Sequence, residues 1–156
     1  MVGLIISIIV FNTVAYKENK LLIGSQVAHI WLFTIALQTV FDTYVDLKYH
    51  AYWYFSKNVD WESLIALVFL VPPVNVLFIN WFPYQKKLAK KILYFIVWEA
   101  GLLFYEWLTL SPSPWGYFHY GWWSLWHSLF MNPILLLILM GYYKWISHLD
   151  WSVPDR

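Results

Sequence analysis

Five long runs of apolar residues dominate the chain, and short polar or charged stretches separate them. The runs cover approximately residues 2–16, 21–46, 64–82, 88–110 and 122–146. About 20 predominantly apolar residues in an α-helix are long enough to cross the hydrocarbon core of a bilayer. The pattern therefore predicts an all-α integral membrane protein, in which residues 1–156 form one bundle of five transmembrane helices.

The first run is the shortest of the five. At 1.5 Å per residue, residues 2–16 form a helix of about 23 Å, whereas the hydrocarbon core is about 30 Å thick. No basic residue precedes this run and no small-x-small cleavage site follows it. We therefore interpret it as a retained span rather than a signal peptide, and the sequence leaves open whether it crosses the membrane completely.

Prolines and aromatic residues predict the irregular parts of the bundle. Pro72–Pro73 in the third run and Pro133 in the fifth remove backbone donors and predict helix kinks. The aromatic segment 47–63 predicts a short interfacial helix between helices 2 and 3. Residues 111–121, which are rich in proline and glycine, predict a turn-forming loop.

Composition agrees with a membrane protein. The chain is 61% hydrophobic and only 12% charged, whereas about a quarter of the residues of a soluble domain are charged. The lack of cysteine excludes disulfides and thiolate chemistry. Without a basic patch on a soluble fold, we expect no nucleic-acid partner. The expected partners are the lipid bilayer and either another membrane protein or a second copy of the chain, with no cofactor.

Positive charge is distributed unequally between the two predicted sides. Five spans place eight lysines and arginines on one side and two on the other. Because such residues concentrate in cytoplasmic loops, the N-terminus is predicted outside and the C-terminus inside a cell membrane. The larger group is Lys17, Lys20, Lys86, Lys87, Lys90, Lys91, Lys144 and Arg156, and the smaller is Lys48 and Lys57.

Carboxyl groups within the apolar runs are candidates for function, because a carboxylate inside a bilayer is costly. Glu99 and Glu106 are seven residues apart, so they share a helix face at a spacing of about 10 Å. Gln38, Asp42 and Asp46 recur at four-residue spacing near the outer end of the second run. Both sets therefore predict polar helix faces directed into the bundle.

Two histidines belong to the same predicted outer half. His127 lies early in the fifth run, and His119 lies in the loop before it. The predicted binding residues are Asp42, Glu99, Glu106 and His127, with Gln38, Asp46 and His119 as weaker members. No histidine or glutamate pair has metal-site spacing, so no metal is predicted.

Three functions remain open for this polar site. The first is binding of a small solute, a cation or a proton at an outward-facing site. The second is an intramembrane enzyme acting on an isoprenoid or lipid, with Glu106 as the general acid. The third is a structural or accessory membrane subunit, in which the acids only hold helices together.

The order of these segments resembles a family. The end of the third run, VLFINWFPYQKK, is similar to that of small, uncharacterised Trp- and Tyr-rich multi-pass membrane proteins of spore-forming bacteria. This resemblance covers about residues 26–145 and implies a bacterial cell membrane but no activity. The layout FDTYVDLKYHAYWYF followed by VPPVNVLF also resembles heterodimeric-type lycopene cyclases, but Val74, Asn75 and Val76 stand where that family has acids. Cyclisation would then require Glu99 or Glu106 as the acid.

Overall fold

The computed structural model describes residues 1–58 and 61–151, so Arg156 of the charge comparison lies outside the described residues. Most of the described chain is helical, as predicted. Three helical stretches, Trp61–Trp81, Leu88–Thr109 and Leu125–Leu149, are long and apolar enough to cross a membrane. In chain order the elements are α1 (Val2–Glu18), α2 (Gly24–Asp42), a π-helical turn (Thr43–Lys48), β1 (Tyr52–Trp53), α3 (Trp61–Phe69), α4 (Val71–Trp81), α5 (Leu88–Thr109), β2 (His119–Tyr120) and α6 (Leu125–Trp151).

The predicted kink in the third run is confirmed. Helix α3 ends at Phe69 and α4 begins at Val71, with prolines in the first turn of α4. A proline is tolerated there, because the first amides of a helix have no intrahelical acceptor. Pro133 lies inside α6, which continues through it as a single helix, so the kink predicted there stays a prediction.

The interfacial helix predicted between helices 2 and 3 is wrong for the described residues. His50 has φ of 48°, a left-handed conformation that ends the helical turn after α2. The chain then forms a two-residue strand, in which Tyr52 pairs with Tyr120 and Trp53 pairs with His119 in antiparallel register. Aromatic residues favour such extended pairing. The all-α expectation therefore needs this correction: a small β-ribbon joins the connection after α2 to the loop after α5.

Helix α4 occupies the centre of the bundle and contacts α1, α2, α3 and α6. Its side chains Phe78 and Ile79 are completely buried. The Phe78 ring contacts Tyr94 and Trp98 of α5 at centroid distances of 5.5 Å. Such aromatic pairs contribute about 0.5–1.5 kcal/mol each beyond area burial. These rings hold α5 against α4, and α5 also packs on α6, while its other face is exposed.

Side-chain contacts define the two ends of the bundle. At one end, Asn80 accepts hydrogen bonds from the Lys20 and Leu21 amides and donates to the Glu18 carbonyl. At the other end, the Trp122 indole N–H donates to the carbonyl of Tyr49. The start of α1 also lies at this second end, where Gly3 approaches the 111–116 loop.

Candidate functional site

A cavity of about 230 Å³ lies inside the bundle. Every helix except α1 contributes to its wall, together with the β-ribbon and the loop before α6. Most of the lining is apolar or aromatic, and the polar side chains are few. Examples of the former are Phe41, Tyr52, Leu70, Phe118, Met131 and Leu136, and the polar ones include Gln38, Asn75, Glu106, Ser128 and Asn132.

Glu106 of α5 is the carboxyl group among the described residues of this wall. Its Oε1 accepts hydrogen bonds from the Tyr120 hydroxyl at 2.5 Å and the Ser128 hydroxyl at 2.7 Å. The Trp123 indole N–H donates in turn to Ser128 Oγ at 2.8 Å. Within the described part of the chain, Glu106 Oε2 has no hydrogen-bond partner. One oxygen therefore fixes the carboxyl group, and the other forms no hydrogen bond with the described residues.

Three amide side chains line the cavity and share one arrangement: each uses its nitrogen to bind a neighbouring side chain. The bonds are Gln38 Nε2 to Asp42 Oδ1 at 2.9 Å, Asn132 Nδ2 to Glu99 Oε1 at 3.2 Å, and Asn75 Nδ2 to Thr34 Oγ1 at 3.1 Å. A carboxylate oxygen only accepts, so it fixes the nitrogens of Gln38 and Asn132 towards the carboxyl groups, whereas the Thr34 hydroxyl can bind either end of the Asn75 amide. The amide oxygens of Gln38 and Asn132 have no partner among the described residues.

Asp42 and Glu99 lie behind this wall rather than in it. Asp42 is buried and also accepts a hydrogen bond from the Tyr52 hydroxyl. Asp42 and Asp46 together line a second, smaller cavity of about 100 Å³. Glu99 is only 7% exposed, and its buried Oε2 has no hydrogen-bond partner within the described ranges of the chain. These acids therefore orient the amides of the main cavity from outside it.

The two predicted histidines face away from both cavities. The His127 side chain is exposed, and its Nδ1 accepts a hydrogen bond from the Ser124 amide at 3.1 Å. His119 is also exposed, and its ring stacks on Trp53 at 6.0 Å. Of the predicted site residues, the structure thus brings Gln38 and Glu106 to the main cavity, but not these histidines. Among the described residues, no three His, Cys, Asp or Glu side chains are grouped to hold a metal ion.

Several residues at the site were not among the predicted ones. Ser128 and Asn132 are four residues apart in α6, and this spacing was the available signal for a polar face. Tyr52 and Tyr120 could not be found in this way, because they lie in short strands. Burial raises the pKa of Tyr52 well above 10, and the nearby Asp42 carboxylate raises it further. The pKa of Tyr120 is raised by burial and by its bond to Glu106, so both phenols remain donors at neutral pH.

No protein-family model, curated protein or solved structure matches this chain. The resemblances to the Trp- and Tyr-rich membrane proteins and to the cyclases therefore stay predictions.

Proposed function

We propose that the protein is a five-span bacterial cell-membrane protein, with its N-terminus outside and its C-terminus inside. Exposed apolar residues on α5 support contact with lipid, since Ile96, Val97 and Phe104 are 60%, 63% and 60% exposed. The contacts of Asn80 with the segment after α1 support the orientation, because they bring Lys20 to the same end of the bundle as the lysines before α5. This end would face the cytoplasm.

Within this membrane arrangement, the protein binds a small, largely apolar molecule inside the bundle. The observation that carries this function is the cavity of about 230 Å³, which combines a mainly apolar wall with a few polar side chains. Ligand sites in proteins have this composition, whereas packed interiors leave few voids larger than a water molecule. Since a cavity of 150 Å³ can hold benzene, this one has room for about ten non-hydrogen atoms.

The cavity favours this function over binding of a hydrated metal ion or a free solute at an outward polar surface. Ca²⁺ takes about six to eight oxygen ligands, whereas the described residues of the wall are mainly apolar and offer one carboxyl group, Glu106, with a few amide and hydroxyl groups. An apolar occupant gains contacts with the apolar side chains of the wall, which a hydrated ion does not.

A second candidate function is catalysis on an isoprenoid or lipid, and one observation favours it. Glu106 Oε2 is without a partner in the described residues while its carboxyl group borders an apolar cavity. A general acid needs this access to the atom that it protonates. Conversion of an added isoprenoid by the wild type, and its loss in Glu106→Gln, would support catalysis; an unchanged substrate would reject it.

A matched pair of substitutions tests the binding function. Leu135 lines the cavity, whereas Leu137, on the same helix, is 59% exposed. We expect Leu135→Phe to fill the cavity and abolish binding of 2-phenylethanol, measured by saturation-transfer NMR on protein in lipid nanodiscs. Leu137→Phe should bind the probe like the wild type. Equal binding by both variants would show that the cavity is not the site.

A further inference from the structure

We propose that the molecule bound in the cavity is a small lipophilic amine, held as its ammonium ion against Glu106. This inference rests on the proposed binding function and adds the chemical class of the ligand. The hydrogen-bond acceptors, the charge and the aromatic rings around the cavity carry this inference.

Three oxygen acceptors of the cavity wall have no partner in the described structure. They are Glu106 Oε2 and the amide oxygens of Gln38 and Asn132. The nitrogens of these two amides donate to the carboxyl groups of Asp42 and Glu99, so their oxygens are left to accept hydrogen bonds. A primary ammonium has three N–H donors and no acceptor, which complements such a set, whereas an alcohol donates only one hydrogen bond.

The charge of the wall selects the same ligand. No lysine, arginine or histidine is among the described residues that line the cavity, and Glu106 is its only carboxyl group. An anionic ligand would be buried beside this carboxylate without a counter-charge, which is strongly unfavourable. An ammonium ion pairs with the carboxylate, so both charges are compensated inside the bundle.

Aromatic side chains complete the site. Tyr52, Tyr105, Phe118 and Trp123 line the same cavity as Glu106. The faces of such rings attract cations within about 6 Å of their centroids. They also provide apolar contact for the hydrocarbon part of the ligand. The wall therefore suits both parts of a lipophilic amine: the cation at Glu106 and an apolar body along the rings and aliphatic side chains.

Three probes of nearly equal size and different charge test whether the cavity selects its ligand by charge or by shape. We propose isothermal titration calorimetry of 2-phenylethylamine, 2-phenylethanol and phenylacetate against the protein in zwitterionic lipid nanodiscs, with empty nanodiscs as the blank. Hydrogen bonds to charged groups are worth about 1.5–3 kcal/mol, so the amine should bind at least about tenfold more tightly than the alcohol. The carboxylate should show no binding.

Glu106→Gln keeps the shape of the side chain and an oxygen for Ser128 and Tyr120, and it removes the charge. It should weaken amine binding by about tenfold or more and leave alcohol binding nearly unchanged. Glu18→Gln is the matched control, because Glu18 pairs with Lys20 at the exposed end of the bundle. This control should bind all three probes like the wild type.

The outcomes distinguish this proposal from the binding function on which it rests. If the alcohol binds the wild type as tightly as the amine, the amine assignment is overturned while the cavity remains a binding site. If none of the probes binds, the proposed function itself fails. The wild-type comparison decides between these cases even if Glu106→Gln does not fold.

Discussion

Neutral donors surround the buried carboxyl groups of this bundle. Asp42 accepts hydrogen bonds from Tyr52 and Gln38, while Glu106 accepts from Tyr120 and Ser128. The one lysine–carboxylate pair within the described residues, Lys20–Glu18, lies at the exposed end. Removing an acceptor from such a group leaves buried donors unsatisfied, which costs more than the hydrogen bond itself contributes. The acids therefore also fix the positions of the elements that surround the cavity.

The Asp42–Tyr52 pair tests this role at the level of one bond. Asp42→Ala should lower the free energy of unfolding by about 1–3 kcal/mol, because Tyr52 and Gln38 lose their acceptor. Tyr52→Phe should cost about 1 kcal/mol, and the double variant should cost less than the sum of the two. Thermal unfolding followed by circular dichroism measures all three, with Tyr44→Phe, an exposed tyrosine, as the control. Strictly additive losses would contradict the bond.

The β-ribbon borders the cavity at the end of the bundle where the lysines are few. It carries Tyr52 into the wall, and Phe118 just before β2 lies there too. Gly121 follows β2, and its amide donates to the Ala51 carbonyl at 2.8 Å. A Cβ atom at Gly121 would lie 2.2 Å from the backbone oxygen of His50. Such close backbone approach is possible only without a side chain.

Gly121→Ala should therefore destabilise the protein, because the ribbon must move away from the 50–51 backbone. Gly101→Ala is the matched control in α5, where an added Cβ would meet open space. An alanine inside a helix is more favourable than a glycine by about 0.5–1 kcal/mol, so this control should raise the melting temperature slightly. If Gly121→Ala melted at the wild-type temperature, the close approach would not restrict this position.

The ribbon also shows where sequence patterns stop being informative. Apolar runs and Pro72–Pro73 are local signals, and they predicted the long helices and the break before α4. The pairing of Tyr52 with Tyr120 joins residues far apart in sequence, and no local pattern encodes it. The helix spacing of Glu99 and Glu106 gave their shared polar face. It could not show that Glu106 alone reaches the cavity, because this depends on how α5 packs against α4 and α6.

The orientation of a helix about its own axis explains, in the same way, why His127 does not reach the cavity. Sequence position placed His127 in the same half of the bundle as Glu106. Its ring instead contacts Trp122 and Trp123 at 5.4 and 5.0 Å and remains exposed. Ser128, the next residue, turns inward to Glu106, because neighbouring residues on a helix point in directions about 100° apart. On a helix, a shift of one residue in the sequence therefore decides whether a side chain lines the cavity or lies on the surface.

At the scale of the whole molecule, the two ends of the bundle differ in charge, and the proposed orientation follows from this difference. The chain has no cysteine, so a single introduced cysteine reports one position without interference. Lys57→Cys lies in the connection after β1, and Lys87→Cys lies just before α5. In intact cells, a membrane-impermeant maleimide should label Cys at position 57, but it should label position 87 only after the cells are permeabilised. Lys20→Cys should behave like Lys87→Cys, because Asn80 holds the segment after α1 near the end of α4.

Equal labelling of positions 57 and 87 in intact cells would reject the five-span arrangement. Labelling of 20 and 87 from outside, with 57 protected, would instead keep the spans and invert the orientation.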